Sequence, residues 1–110
     1  MKRIITFGTF DLFHIGHLNI LERAKKYGDY LIVGISSDQL NFTKKQKYPV
    51  CSQEHRIRII SALKCVDEVF VEESLELKAS YIKKYNADVL LMGNDWVGKF
   101  DHFKSICNVI

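Results

Sequence analysis

The sequence predicts an α/β protein, a doubly wound parallel β-sheet in a single domain. Three observations carry this. Strand-like and helix-like segments alternate along the chain. The strand-like segments are continuously apolar, as expected where helices cover both faces of a sheet. The length, 110 residues, suits one domain with a real core and not two.

Residues 4–7 (Ile-Ile-Thr-Phe) are apolar and β-branched, stop at Gly8, and read as the first buried strand. Over 17–27, Leu18, Leu21 and Ala24 recur at every third position. Lys25 and Lys26 favour the negative end of a helix dipole, and Gly28 terminates the helix. Residues 30–35 form a second apolar strand. The stretch 36–52 is polar and lysine-rich, with Pro49 near its end, and is expected to be mostly loop. Ser52 then suits the N-cap of a helix reaching Leu63, with Ile57, Ile60 and Leu63 on one face. Residues 68–71 read as a third strand and 75–85 as a third helix, with Leu75, Ala79 and Ile82 inward. Residues 89–92 form a fourth strand ended by Gly93. A short helix is expected over 99–107, and Val109 and Ile110 open another strand.

Composition narrows the function classes. Sixteen basic and thirteen acidic side chains give a net charge of +3, a mild excess that does not indicate nucleic acid as a partner. Three cysteines, an odd number without CxxC spacing, argue against a disulfide framework or a zinc site and for reduced thiols in the cytoplasm. The apolar run after Lys2 and Arg3 is interrupted by Thr6, Gly8 and Asp11, so it does not read as a secretory signal. No run approaches the roughly 18 apolar residues of a membrane span.

Doubly wound sheets bind ligands at the carboxyl ends of their strands. The first such loop, 8–17, reads GTFDLFHIGH. It ends at a helix N-terminus, where free backbone N–H groups and the dipole attract anions. His14 and His17, three apart, fall on one face if the helix starts near His14. Gly16 lets a phosphate approach the backbone. The arrangement suits a polyphosphate whose charge shifts during reaction. An i,i+3 histidine pair also suits zinc, but no third ligand lies at a metal spacing. After the second strand, Lys44, Lys45 and Lys47 cluster at the same end of the sheet.

The loop GTFDLFHIGH resembles the signature of the HxGH nucleotidyltransferases, which share a Rossmann-like fold. EHR at 54–56, VDEV at 66–69 and MGNDWVGKFD at 92–101 extend the resemblance from residue 2 to 110, on the cytidylyltransferase branch. The resemblance implies transfer of CMP from CTP to sn-glycerol 3-phosphate, yielding CDP-glycerol and pyrophosphate for wall or surface polymers. Open alternatives are ATP as donor, another small phosphomonoester such as ethanolamine phosphate as acceptor, and a nucleotide-binding module without turnover.

By resemblance His14 and His17 bond the triphosphate, and Lys44 joins them as a catalytic residue. Thr9, Phe10 and Gly16 line the nucleotide loop. Asp95 and Trp96 meet the nucleoside, where a carboxylate can accept from the cytosine amino group and an indole can pack on a ring; core packing is the alternative for Trp96. Lys47 is taken as the second phosphate-contacting lysine, with Lys45 as the alternative because this loop is one residue longer. Arg56 is expected to bind phosphate. Asp11 orients the loop or a cation, Asp38 steadies the lysine loop or reaches substrate, and Asp67 is structural. Mg2+ is expected with CTP, no metal-ligating residue is assigned, and a homodimer through 56–69 is implied. Two positions depart from the family pattern. Lys64 stands where an arginine is usual, which removes a bidentate fork, and Asn94 stands where aspartate is common. Relatives continue past the strand at Val109 with an Arg-Thr-x-Gly-Ile-Ser-Thr-Thr segment and a helix. The domain 1–110 is therefore expected to lack a C-terminal segment.

Overall fold

The structure, a computed structural model, describes residues 2–74, 77–91 and 108–109, the side chains of Lys44, Lys45, Asn108 and Val109 excepted. The elements run β1 (Arg3–Gly8), α1 (Ile15–Lys25), β2 (Tyr30–Ser36), α2 (Asp38–Lys45), α3 (Gln53–Ser61), β3 (Glu68–Glu72), α4 (Lys78–Lys84), β4 (Val89–Leu90) and β5 (Asn108–Val109). Every strand pairing is parallel, and the sheet order is β3-β2-β1-β4-β5. The doubly wound expectation holds.

Strand side chains alternate between two cores, as a two-residue repeat requires. Ile4, Leu31, Val33, Ile35 and Val89 pack with Leu21 and Ala24 of α1 and Ile60 of α3. Ile5, Phe7, Ile32 and Leu90 pack with Ile82 of α4 on the other face. The chain steps outward from β1 in both directions, so the order reverses between β1 and β4. In sheets of this kind the ligand crevice lies at such a switch point, at the carboxyl ends. The Thr6 hydroxyl donates to the Leu91 carbonyl at 2.7 Å across this gap.

Two differences from the sequence reading stand out. The stretch expected to be loop contains α2. Ser37 caps it by accepting from the Leu40 N–H, and Gln46 closes it in the left-handed region with φ 60°. Tertiary bonds to buried Asn41 support a helix that a mostly polar sequence does not announce. The third expected helix is also shorter, Lys78–Lys84, with 75–76 outside the described residues. The expected helix over 99–107 lies outside them as well.

At the end away from the crevice, Asp67 ties layers together. Its carboxylate takes the Leu31 N–H at 2.8 Å and pairs with Lys25 of α1, consistent with the structural part expected of it.

Candidate active site

The site is built on the loop from Gly8 to α1. Phe10 and Leu12 both adopt left-handed backbone, φ 54° and 50°, where residues with a Cβ are strained by about 1–3 kcal/mol each. The Phe10 ring is buried beside Gly8. A Cβ at Gly8 would lie 2.7 Å from it, so only glycine lets the ring in. The same ring meets the His17 imidazole edge-on, with centroids 5.6 Å apart.

His14 is the N-cap of α1. Its Nδ1 accepts from the Gly16 N–H at 3.0 Å, and Nδ1 of His17 accepts from the His14 N–H at 3.2 Å. The two imidazoles thus form a reciprocal capping box, a task usually left to a hydroxyl and a carboxylate. Their rings stack with centroids 4.0 Å apart. An accepting Nδ1 fixes each neutral ring as the Nε2–H tautomer, leaving Nε2–H as a donor. Burial pushes the His17 pKa below 6.5, the adjacent His14 pushes it further, and Asp11 only partly opposes. His17 is therefore a neutral donor near pH 7.

Because the folded pKa of His17 is depressed, its contribution to stability is complete above the unfolded value near 6.5. It is lost as pH falls through the folded value. An NMR titration is expected to show His17 protonating below pH 6.5; a midpoint above that value would contradict the burial argument.

Gly16 serves this geometry directly. A Cβ there would lie 2.7 Å from Cε1 and 3.0 Å from Nδ1 of His14. Gly16→Ala is expected to push the imidazole aside and lower turnover by about tenfold or more while the protein stays folded. Pyrophosphate release set beside circular dichroism would check this.

The carboxyl edge beyond the loop is tied together by polar bonds. The Ser36 hydroxyl donates to Thr9 Oγ1 (3.1 Å), the Thr9 hydroxyl to Asn41 Oδ1 (2.9 Å), and Asn41 Nδ2 back to Ser36 Oγ (2.8 Å). This closed triangle binds β1, β2 and α2. Asn41, 2% exposed, was not singled out in the sequence; a buried asparagine in a polar stretch follows no periodic pattern.

Arg56 lies fully buried beside it. Nε donates to the Cys51 carbonyl, Nη1 to the Thr9 and Ser36 carbonyls, and Nη2 to Asp38 Oδ1 at 2.7 Å. A phosphate ligand was expected; four of its donors instead meet protein oxygens. Asp38 also exchanges hydrogen bonds with Gln53, so α2 and α3 are held start to start. Asp11 accepts from the Val50 and Cys51 N–H groups, each at 2.8 Å, fastening the histidine loop to the segment after the lysines. Partial burial works against its ionisation, but those bonds, led by Cys51, outweigh it and hold the carboxyl below its ordinary range.

The fold thus brings Thr9, Phe10, Asp11, His14, Gly16, His17, Asp38 and Arg56 to one edge of the sheet. Lys47 is exposed, two residues past the end of α2. Lys44 belongs to the last turn of α2, while Asp95 and Trp96 lie outside the described residues. Among the described residues no three His, Cys, Asp or Glu side chains form a metal cluster, and no helix is long and apolar enough to cross a membrane.

Two imidazoles at a helix N-terminus, each with Nε2 left as a donor, beside the switch point of a parallel sheet, define a nucleotide-handling α/β protein of the nucleotidyltransferase kind. The cytidylyltransferase-like family model matches residues 5–108. Over 110 residues the chain is 52% identical to a glycerol-3-phosphate cytidylyltransferase of Bacillus spizizenii, covering all of this chain and 84% of that protein. It is 43% identical to one of Staphylococcus aureus, with 83% of that protein covered. A lipopolysaccharide core biosynthesis protein of Thermoplasma volcanium shares the fold, with a TM-score of 0.82 at 23% identity over 99% of this chain and 93% of that one. The chain belongs to the cytidylyltransferase-like family.

Proposed function

We propose that the protein transfers CMP from CTP to sn-glycerol 3-phosphate, forming CDP-glycerol and pyrophosphate. The observation that carries this is the 52% identity, over all of this chain, to a glycerol-3-phosphate cytidylyltransferase, in a chain whose α1 is capped by His14 and His17.

An oxygen of the acceptor phosphate attacks the α-phosphorus of CTP. A new P–O bond forms, the α–β bridging P–O bond breaks, and pyrophosphate leaves with the electron pair. The nucleophile is already ionised near neutral pH, so no general base is required. The protein has to align the reactants and stabilise charge as it builds on the phosphates. In this reading the Nε2–H groups of His14 and His17 donate to the triphosphate, and the N-terminus of α1 adds its dipole. Thr9, Phe10 and Gly16 line the nucleotide loop, and Lys44 and Lys47 bring positive charge. Asp95 and Trp96 receive the nucleoside. Asp11, Asp38 and Arg56 hold these loops in register. Mg2+ would arrive on the triphosphate oxygens and neutralise their charge, needing few protein ligands. The reading sets the reaction in the cytoplasm, which the free thiols of Cys51 and Cys65 suit. It includes a homodimer in which exposed Ile59 of α3 takes part, to be checked by light scattering.

Pyrophosphate release over a grid of CTP and ATP against glycerol 3-phosphate and ethanolamine phosphate tests the proposal. Release is expected with CTP and glycerol 3-phosphate. Release with ATP alone, or with no pair, would overturn it.

A further inference from the structure

The buried amide of Asn41 makes more hydrogen bonds than its own helix needs. Nδ2 donates to the Ser36 hydroxyl and to the Ser36 and Ser37 carbonyls, and Oδ1 accepts from the Thr9 hydroxyl. The two carbonyls do not depend on it. Arg56 Nη1 also donates to that of Ser36, and the Asn41 N–H donates to that of Ser37. What the side chain adds is the tie to Thr9, the residue before Phe10. Asp11, the residue after Phe10, makes a matching tie to the Val50 and Cys51 N–H groups. The segment from Asn41 to Val50, which carries Lys44, Lys45 and Lys47, is thus fastened at its two ends to the two neighbours of Phe10. Phe42 stacks on Tyr48 with centroids 4.8 Å apart and closes the segment on itself. Phe10 is the residue that needs such a grip. Its left-handed φ of 54° persists only where the surroundings over-determine it, and its ring stands edge-on against His17. A continuous series of contacts therefore runs from Asn41 through Thr9 and Phe10 to His17. It starts three residues before Lys44 on the same helix.

We infer that Asn41 is a positioning residue for the proposed reaction: by holding Thr9 it locks Phe10 against His17 and fixes that imidazole in register with the lysine segment. This rests on the function proposed above. Histidines and lysines on separate loops meet one triphosphate together only if the loops move as one body. A misplacement of about 1 Å costs on the order of 100-fold in rate. Asn41 touches neither imidazole, and it acts through Thr9. An amide that served the fold alone could be replaced by an apolar side chain of similar volume with no effect on His17.

The test uses the full chain with CTP and sn-glycerol 3-phosphate. Asn41→Leu removes the tie and leaves both serine carbonyls with a donor. It is expected to lower kcat by about tenfold or more and to leave KM for CTP within about threefold. Without nucleotide, the NMR titration midpoint of His17 is expected to rise toward 6.5, because an imidazole no longer held against the Phe10 ring is better solvated. Thr9→Val breaks the same bond from the other side. If Asn41 acts through Thr9, the double variant Asn41→Leu/Thr9→Val turns over no more slowly than Thr9→Val. The double variant leaves no unpaired hydroxyl at position 9, so this comparison holds even if Asn41→Leu alone does not fold. An unchanged kcat and His17 midpoint in folded Asn41→Leu, or losses that multiply in the double variant, would make the amide merely structural and overturn the inference alone. A wild-type protein that releases no pyrophosphate would overturn the function first, and this inference with it.

Discussion

Replacing His14 with asparagine is expected to keep the fold and remove most of the turnover. Asparagine is a preferred N-cap, and its Oδ1 can accept from the Gly16 N–H as His14 Nδ1 does. It cannot reproduce the outward Nε2–H. His17→Gln makes the same separation at the third helical position, because a glutamine there can reach back to the His14 N–H. Removing one preorganised donor from a developing anion typically costs about 100-fold or more in kcat. Each variant should show that loss at a melting temperature close to wild type. Full turnover in either would remove that histidine from the chemistry. Loss of turnover with a collapse in melting temperature would show that capping was its whole contribution.

Arg56→Met should have the largest effect on stability. The guanidinium is fully buried and holds three carbonyls and the Asp38 carboxylate. Methionine fills much of the volume and supplies no donor, so those oxygens lose their partners together. Carbonyls left buried without a donor cost roughly 1–3 kcal/mol each, and the Asp38 carboxylate, 32% exposed, adds less, so the loss is on the order of 3–5 kcal/mol. For a domain of this size that is a large part of the total stability and lowers the melting temperature by on the order of 15 °C or more. Arg56→Lys should recover only part of the loss, since one ammonium cannot span the acceptors reached by a planar fork. A thermal melt of both variants checks this. A loss below about 1 kcal/mol would mean that water replaces the guanidinium.

The strands and the histidine pair were legible because their signals are local. Apolar runs such as 30–35 announce a buried strand, and the spacing of His14 and His17 puts both at one helix end. Ser52 was legible as an N-cap for the same reason: its side chain accepts from His55, three residues on. Helix α2 was not legible, because a short polar sequence carries little periodicity and its support comes from Asn41 bonds to Thr9 and Ser36. Nor was the setting of Arg56. Its acceptors come from positions 9, 36, 38 and 51, which only the folded chain gathers. What the sequence conceals is polar burial, since an arginine that ends on carbonyls reads the same as one that faces solvent.

The left-handed backbone at Phe10 and Leu12 bears on how this protein can change. Leu12 is 58% exposed, so its side chain contributes little to the core while its φ of 50° is paid for in every folded molecule. Glycine or asparagine there would relax the loop and raise stability. It would also free the segment that aims two imidazoles. A mutant library sorted for thermal resistance would be drawn to position 12, and one sorted for turnover would be held back from it. The loop is thus a place where selection for durability and selection for speed pull the same residue in opposite directions.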